Sequence, residues 1–423
     1  MQQTAKNLFF TSQNLTKLLS ALKVDGMHPR LIGGCVRDAL SAVEIKDIDI
    51  ATPLLPNEVL QILGKHNIKA IPTGIDFGTI TAVVGDETFE ITSLRKDINC
   101  DGRHAVVEYT TDFRVDAERR DFTINALSYC PFEHIIYDYH GGLKDLANKK
   151  VRFIGQAADR IKEDYLRILR FFRFSSNYAS VLDEEGYRAC VAGKDGIKQL
   201  SKERIHAEMN KILTSKQAKQ MLEAIIKADI NLFNDLKINL NYDFAKSLNA
   251  TYALLLFQNN AVTLKQELGT LGFSNKMMNA IIGLAGMLLH CRDFTVIPDL
   301  IRDPSSNKIP PLKSILNQVQ DDNQSNLFSH FALIEAWIAG KKMEDYLECA
   351  YCAGMITEGE RDKLANKFQN TPPHLPVNGN DLMDFGLQNK QVGQSLHKLK
   401  SHWIKSDFSL SKAELLQMVI TND

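Results

Sequence analysis

The sequence predicts an α+β protein, with a small mixed β-sheet and its covering helices in the first part and only helices afterwards. Two β-rich runs, 77–84 and 88–94, flank the turn dipeptide Gly85-Asp86 and indicate a hairpin. From residue 201 onward, apolar residues recur almost everywhere at helical spacing. The chain has 423 residues, enough for about three domains.

We expect four consecutive segments along the chain. A small α/β head over residues 1–150 would end near the glycine-containing turn 138–146, which we interpret as hinge-like. Helical segments would follow as a neck, a body and a tail. Proline pairs at 310–311 and 372–373 mark connections in this helical part. The predicted bounds are 151–220 for the neck, 221–325 for the body and 326–423 for the tail.

Composition restricts the class of protein. Lys and Arg number 50 against 51 Asp and Glu, so the net charge is 50 − 51 = −1, and an RNA-binding surface would have to be a local patch. The most apolar helix candidate, 280–289, is too short to cross a membrane, and we recognise no signal peptide. Seven cysteines scattered over a long chain predict reduced thiols and a cytoplasmic protein.

The elements of the head follow from local patterns. Leucines at helical spacing predict a helix over 14–23 that covers the sheet, and 56–65 predicts a second helix with Pro56 near its start. Beyond the head we predict further helices. Their bounds are 160–174, 202–213, 217–226, 242–257, 261–289, 327–353 and 358–368.

The stretch after the first predicted strand has the features of a phosphate-binding turn. Leu31 and Ile32 end a buried strand, Gly33 and Gly34 allow close approach of a ligand to the backbone, and a helix containing Arg37 follows. An ordinary Gly-Gly turn is the alternative interpretation.

Two carboxylates follow this turn closely. Asp47 and Asp49 lie two residues apart, so in a strand they share one face, while Ile48 and Ile50 share the other. Paired carboxylates repel each other unless a cation lies between them. A solvated strand end would also explain them, but beside a phosphate-binding turn they favour a Mg²⁺ site for nucleoside triphosphate chemistry.

The order of motifs in the first half of the chain resembles that of the class II tRNA nucleotidyltransferases, or CCA-adding enzymes, and of the related bacterial poly(A) polymerases. Both belong to the DNA polymerase beta nucleotidyltransferase superfamily. The motifs that carry the resemblance are Gly33-Gly34-Cys-Val-Arg37-Asp38, Asp47-Ile-Asp49, Arg119-Arg-Asp-Phe-Thr-Ile-Asn-Ala126, Asp138-x3-Gly142-x2-Asp145-Leu146, Glu163-Asp-Tyr-Leu-Arg-Ile-Leu-Arg170 and Glu203-Arg-Ile-His-Ala-Glu208.

The resemblance assigns further residues around the two aspartates. Glu90 would be a third catalytic carboxylate from a neighbouring strand, although an exposed strand glutamate is common. Arg119 and Arg120 would bind phosphate oxygens bidentately, with Asp121 beside them. Asn125 would bond a ribose hydroxyl or act as a buried cap. The polar segment 95–104 predicts a loop, and the family carries a flexible loop at this place that its CC-adding relatives shorten.

The predicted helix over 160–174 would carry base recognition. Asp164, Arg167 and Arg170 lie at successive i, i+3 steps, so a structural ladder of ion pairs is one interpretation. Cytosine and adenine both present an amine donor beside a ring-nitrogen acceptor, and an Asp–Arg pair is complementary to both. Uracil and guanine present a carbonyl and a ring N–H there, so they do not match the pair. Asp164 and Arg167 correspond to the family's base-reading residues. Arg173 also corresponds to a family arginine, but i+9 spacing predicts that it faces away from Asp164.

The resemblance implies addition of CMP and AMP from CTP and ATP to the 3′ end of tRNA, without a template and with Mg²⁺ as cofactor. Alternatives are a poly(A) polymerase, an enzyme that adds only CC or A, and an RNA-binding module that has lost catalysis. The intact pair Asp47 and Asp49 disfavours the last of these. The tail would bind tRNA, with Lys398, Lys400, His402 and Lys405 either on RNA phosphates or on a solvated basic face.

Overall fold

The head is built around one eight-stranded mixed sheet. In this computed structural model the strand order is β1-β10-β9-β2-β3-β6-β5-β4. The strands are β1 Gln2–Thr4, β2 Arg30–Ile32, β3 Asp49–Thr52, β4 Lys69–Gly74, β5 Thr79–Val84, β6 Glu87–Ser93, β9 Ser128–Cys130 and β10 Ile135–Tyr137. Neighbouring strands pair antiparallel, except that β3 and β6 run parallel.

The structure describes most of the chain, and all statements below concern these residues. They are 2–4, 12–24, 26–100, 105–233, 236–240, 248–256, 258–259, 261–294, 342–353, 356–369, 374–384, 387, 389–406 and 408–420.

Two helices cover the sheet, as predicted. Helix α1 (Gln13–Leu22) buries Leu15, Leu18 and Leu22 against the sheet core, and Ser12 caps its start by accepting from the Leu15 N–H. Helix α3 (Pro56–Lys65) has the predicted bounds. Removing such leucine side chains from water stabilises the head by roughly 1.5–3 kcal/mol per side chain.

The hairpin prediction is confirmed, with β5 and β6 joined through Gly85 and Asp86. The predicted loop over 95–104 is wrong in part, because β7 (Arg95–Cys100) pairs antiparallel with β8 (Ala105–Tyr109) as a separate two-stranded ribbon. The ladder bonds of a ribbon come from the main chain. Strand periodicity shows in a sequence where one face of the strand is buried. The polar run 95–100 has no such alternation, so the sequence did not indicate a strand there. Residues 101–104 lie outside the described part.

Helices dominate after the head. The head itself contains three further helices, α2 Gly34–Leu40, α4 Phe113–Glu118 and α5 Gly142–Ala147. The helices that follow it in the first unit are α6 Ala157–Glu163, α7 Leu166–Tyr178, α8 Glu184–Gly193, α9 Lys202–Leu213 and α10 Ala218–Lys227. The predicted single helix over 160–174 is wrong, because Asp164 is extended (φ −155°, ψ 107°) and separates α6 from α7.

The later helices agree with the sequence patterns in type and differ in bounds. The described ones are Leu248–Leu256, Ala261–Thr270, Asn275–Phe294, Met343–Cys352, Glu358–Phe368, Gly379–Met383, Asn389–Lys405 and Lys412–Ile420. The predicted continuous helix over 261–289 is interrupted near Gly272, whose φ of 81° is left-handed. The parts of the helix predictions that fall on 242–247, 257 and 327–341 lie outside the described residues, as do the proline pairs at 310–311 and 372–373.

The chain divides into two compact units, Met1–Leu232 and Phe233–Asp423. The finer division into head, neck, body and tail stays a prediction. Among the described cysteines, Cys35, Cys130, Cys190, Cys349 and Cys352 are not in disulfide bonds. Within the described residues, no helix has the length and apolar character needed to span a membrane.

Candidate active site

The predicted phosphate-binding turn forms where β2 meets α2. Gly33 has φ +69° and donates its N–H to the Leu127 carbonyl at 2.9 Å. The left-handed φ favours glycine at this position, and a Cβ would lie 2.9 Å from Nη1 of Arg120, which would then have to shift. Gly34 begins α2, and a Cβ there would make only ordinary contact with Arg37.

The catalytic carboxylates predicted from the sequence come together beside this turn. Asp49 is the first residue of β3, and Glu90 is its partner in the parallel β3–β6 register, so both side chains share one face. The predicted strand alternation from Asp47 to Ile50 is wrong in its first half, because β3 begins at Asp49 and Asp47 precedes the strand by two residues. Burial raises the pKa of Asp49, and the charges of Glu90 and Asp47 raise it further, while Arg120 opposes them.

The described residues give these three carboxylates no ion pair and no side-chain hydrogen bond of their own. The charges of Glu90 and Asp47 repel that of Asp49, and a bound cation would reduce this repulsion. Their oxygens do not all lie within 4.8 Å of one another, since in the described part only His28, Cys130 and Glu133 meet that criterion. The structure therefore brings the predicted ligands to one place without gathering them to coordination distance.

A buried aspartate that the sequence argument missed organises the two arginines. Asp116 on α4 pairs with Arg119 Nε at 2.8 Å and with Arg120 Nη2 at 3.3 Å. Burial alone would raise the pKa of Asp116, but Arg120 and Arg119 outweigh it and hold that pKa below its usual value. Spacings of three and four residues on one helix were the signal available in the sequence.

Arg37 is buried and fully engaged by neighbours. Its Nε and Nη2 donate to the Asp38 carboxylate at 2.9 and 3.0 Å, and its Nη1 donates to Asn125 Oδ1 at 2.5 Å. Its guanidinium lies over the rings of Tyr178 and Phe174, at 4.3 and 5.1 Å from their centroids. Arg37 therefore connects the turn to α7, and its side chain is buried.

Asp121 is the hub between the head and α7. It accepts from Asn125 Nδ2 at 3.0 Å and from the Phe122 N–H at 2.8 Å, and its other oxygen accepts from Arg170 Nε at 2.7 Å. Burial opposes its ionisation, yet Arg170 and Asn125 hold the pKa of Asp121 below its usual value. Asp121 and Asn125 are buried as the predicted cap would be.

The predicted ladder of i, i+3 ion pairs does not form. Since Asp164 lies between two helices, its carboxylate accepts from the Leu166 N–H at 3.0 Å and from Arg204 Nη2 of α9 at 2.7 Å. Arg167 instead pairs with Glu163 at 2.6 Å. Each arginine of α7 therefore finds a separate carboxylate.

Arg173 also departs from expectation. It pairs with Glu208 of α9 at 2.7 Å, and the charges of Arg170 and Asp121 act on it. Its side chain therefore does not face away from the site. Helical counting from Asp164 fails because Asp164 is outside the helix, whereas Arg170 and Arg173 are helical neighbours. The sequence argument missed Arg204 and Glu208 as partners, although their i, i+4 spacing places them on one face of α9.

The turn that closes the head is braced from inside. The Asp138 carboxylate accepts backbone N–H groups of residues 140–143, at 2.8–3.2 Å. A Cβ on Gly142 would lie 2.3 Å from the Thr123 carbonyl oxygen. Asp145 accepts from Thr123 Oγ1 at 2.6 Å and from Arg152 Nε at 2.9 Å. The family's glycine here serves close packing between α5 and the segment carrying Asn125.

Comparisons with known proteins agree with this geometry. Residues 29–152 match the family profile described as "Poly A polymerase head domain", and residues 182–232 match "Probable RNA and SrmB- binding site of polymerase A". The chain is similar in fold to a crystal structure of the Bacillus stearothermophilus CCA-adding enzyme in complex with CTP. The TM-score is 0.72 at 23% identity, covering 97% of this chain and 98% of that chain.

Two curated relatives are similar over nearly their whole length. The CCA tRNA nucleotidyltransferase 1, mitochondrial, of Mus musculus is 32% identical over 427 residues, covering 96% of this chain and 90% of the relative. The Homo sapiens protein of the same name is 32% identical over 422 residues, covering 95% and 89%. With such coverage, the chain belongs to the class II tRNA nucleotidyltransferases, the CCA-adding enzymes of the tRNA nucleotidyltransferase and poly(A) polymerase family.

Proposed function

We propose that this enzyme adds CMP and AMP from CTP and ATP to the 3′ end of tRNA, with release of pyrophosphate, and that Asp47, Asp49 and Glu90 form its catalytic centre. The observation that carries the assignment is the placement of Asp49 and Glu90 in register on β3 and β6, beside the Gly33 turn. No nucleic acid template is needed, because the protein itself would select the base.

The carboxylates fit a divalent metal ion, the cofactor used by nucleotidyltransferases of this family. Unpaired carboxylate oxygens are hard ligands that suit Mg²⁺. Two Mg²⁺ ions, held by Asp47 and Asp49, would lower the pKa of the terminal RNA hydroxyl and stabilise the pyrophosphate leaving group. We assign Glu90 to the same centre, because its charge acts directly on Asp49.

The triphosphate would lie along the Gly33 turn. Glycine leaves the backbone open there, and Arg120 approaches it closely. Arg119 uses Nε for Asp116, and within the described residues its two terminal nitrogens have no further hydrogen-bond partner. Those donors suit phosphate oxygens. Arg37 would act on the turn by holding its shape, since its own donors are taken by Asp38 and Asn125.

Base selection would fall to Asp164 and Arg167. The neighbours that hold them, Arg204 and Glu163, leave spare lone pairs on Asp164 and spare donors on Arg167. Asp164 would accept from the exocyclic amine, and Arg167 would donate to the ring nitrogen, which cytosine and adenine have in common. Arg170 and Arg173 would keep this end of α7 in place through Asp121 and Glu208.

The decisive experiment supplies tRNA lacking its 3′-terminal CCA with CTP and ATP, separately and together. We expect CTP alone to give two additions, ATP alone to give none, and the mixture to give CCA ends on sequencing. Long A tracts from ATP alone would identify a poly(A) polymerase. Ends that stop at CC in the mixture would identify a partial activity.

We also propose a cytoplasmic location, because the described cysteines are not in disulfide bonds. The vertebrate relatives above are named mitochondrial. Fractionation of source cells, with detection of the chain in each compartment, tests the proposal, and recovery from mitochondria alone would overturn it.

A further inference from the structure

A second group of metal-ligating side chains lies at the other end of the head sheet. His28 precedes β2, Cys130 ends β9, and Glu133 lies in the turn between β9 and β10. The four-residue step from His28 to Ile32, next to the phosphate-binding turn, spans roughly 13 Å of extended chain. This cluster is therefore distinct from the carboxylates at Asp49 and Glu90.

The three ligand atoms are already close to the spacing of a tetrahedral site. His28 Nδ1 lies 3.5 Å from Glu133 Oε1 and 3.9 Å from Cys130 Sγ, and all three atoms lie within 4.8 Å of one another. Metal–ligand bonds of about 2.0–2.3 Å at tetrahedral angles separate such atoms by roughly 3.3–3.6 Å. Only small side-chain movements are needed to close the group on an ion.

Neighbouring groups orient these ligands. The Tyr137 hydroxyl donates to Glu133 Oε2 at 2.5 Å, which leaves Oε1 facing His28. Cys130 is buried, which holds its side chain beside those of His28 and Glu133. The His28 ring also packs on Phe132, with centroids 5.2 Å apart. Outer contacts of this kind hold first-shell ligands in metal sites.

The local charge also suits a divalent ion. Arg30 lies over the Tyr137 ring and acts on Glu133, and Lys23 lies over the Phe132 ring at 4.9 Å. A thiolate and a carboxylate together neutralise a 2+ ion, so the occupied cluster adds no net charge beside these two cations. A thiolate with an imidazole selects Zn²⁺ over Mg²⁺.

We propose that His28, Cys130 and Glu133 bind one Zn²⁺ ion, with a water molecule as fourth ligand on the solvent side, where His28 and Glu133 are partly exposed. The ion joins the segment entering β2 to the β9–β10 turn. It therefore stabilises the head, because these two segments separate when the sheet unfolds.

Titration of the full-length protein with Co²⁺ tests the proposal without relying on activity. A thiolate-to-cobalt charge-transfer band requires a cysteine ligand, and none of the proposed catalytic ligands Asp47, Asp49 and Glu90 is a cysteine. We expect the band to saturate at one equivalent and to be displaced by Zn²⁺. Zn²⁺ should also raise the melting temperature by several degrees.

Matched variants assign the band to this cluster. Cys130→Ser should abolish it, and Glu133→Gln should weaken Co²⁺ affinity about tenfold or more, whereas Cys352→Ser, at a partly exposed cysteine outside the cluster, should change neither. Should Cys130→Ser fail to fold, the Co²⁺ affinities of Glu133→Gln and His28→Gln still test the proposal, because these two residues are partly exposed. The proposal is overturned if the wild-type protein shows no charge-transfer band. It is also overturned if these variants keep the band with unchanged Co²⁺ affinity.

Discussion

Single side chains carry the chemistry of this enzyme, and their environments differ in a way that suggests their roles. Asp116 and Asp121 are buried and paired with arginines that lower their pKa values. Asp49 has a raised pKa beside Glu90 and has no arginine partner within hydrogen-bonding distance in the described part. Paired carboxylates shape a site, whereas repelling ones bind cations. This contrast separates the proposed metal ligands from the supporting acids.

Asp49→Asn should lower nucleotide addition at least roughly a hundredfold while leaving the fold intact, because the amide keeps the shape and loses the charge that holds the metal. Single-turnover incorporation and tRNA binding are measured on the same preparation. Asp86→Asn, in the exposed β5–β6 turn, is the control. Incorporation by Asp49→Asn within a factor of ten of wild type would refute the catalytic assignment.

Asp164→Ala should reduce kcat/KM for CTP and ATP by roughly ten- to hundredfold and relax discrimination against UTP and GTP. The physical reason is that a wrong base no longer leaves the carboxylate unpaired, a penalty of about 1–3 kcal/mol. Melting temperature and four kcat/KM values on one mutant separate this from a structural effect. Arg188→Gln, which breaks an exposed ion pair, is the control. A less stable enzyme with unchanged nucleotide preference would contradict base reading.

Asp121→Asn should destabilise the protein by about 3 kcal/mol at neutral pH, because it leaves Arg170 without its charged partner. The pKa of Asp121 in the folded protein lies below the ordinary 3.8. Its contribution to stability is therefore complete above pH 3.8 and is lost as the pH falls from there through the folded value. Melting temperature measured against pH should fall less steeply in this acid range for the variant, and identical slopes would reject the argument.

At the scale of elements, the break between α6 and α7 decides how base reading is arranged. A continuous helix would have paired Asp164 with Arg167, but the extended residue at 164 turns its carboxylate to Arg204. Glu163, at the end of α6, then pairs with Arg167. The apolar run in this region could not reveal the break, because buried apolar residues occur on both sides of it, such as Ile161 in α6 and Leu166 in α7.

Shortening the segment 95–104 should spare CC addition and impair the final A. The resemblance implies that CC-adding relatives have a shortened segment at this place, and here its first six residues, Arg95–Cys100, form one strand of the β7–β8 ribbon. Sequencing of product ends measures the two steps separately. Replacement of Gly85-Asp86 by Asn-Gly in the β5–β6 hairpin is the control for a general loss of strand pairing. Equal loss of C and A addition would assign the ribbon a structural role only.

At the scale of the whole molecule, a net charge of −1 requires that tRNA be bound by local basic surfaces. In the second unit, Lys398 and His402 are exposed on the helix Asn389–Lys405, and Lys400 is half-buried. Buried Leu399 and Trp403 hold the other side of this helix in a small core. The exposed side is therefore available to RNA phosphates.

Lys398→Glu combined with His402→Glu should raise KM for tRNA several-fold and leave kcat nearly unchanged, because phosphate contacts contribute to binding of substrate and transition state alike. The variant's binding should also depend less on salt. Lys363→Glu, exposed on the helix Glu358–Phe368, is the control. A fall in kcat at constant KM would argue against a tail contact with tRNA.

The sequence by itself determined the order of the motifs, the α+β class and the residues of the catalytic end of the sheet. Turn chemistry at Gly33 depends on neighbours in the chain, so a local pattern was sufficient there. The predicted alternation was wrong at Asp47 and Ile48, because β3 begins only at Asp49. Helices such as α3 and α9 were also predicted with the observed bounds, because one apolar face is visible in sequence.

Only the tertiary structure decided which charges pair. Asp121 with Arg170, Asp164 with Arg204, and Arg173 with Glu208 lie on different elements, and nothing in local spacing selects among several candidate partners. The same holds for His28 and Cys130, which strand pairing brings together across 102 residues. Ion pairs and metal clusters depend on distance in space, and the chain fixes that distance only after the sheet and helices have packed.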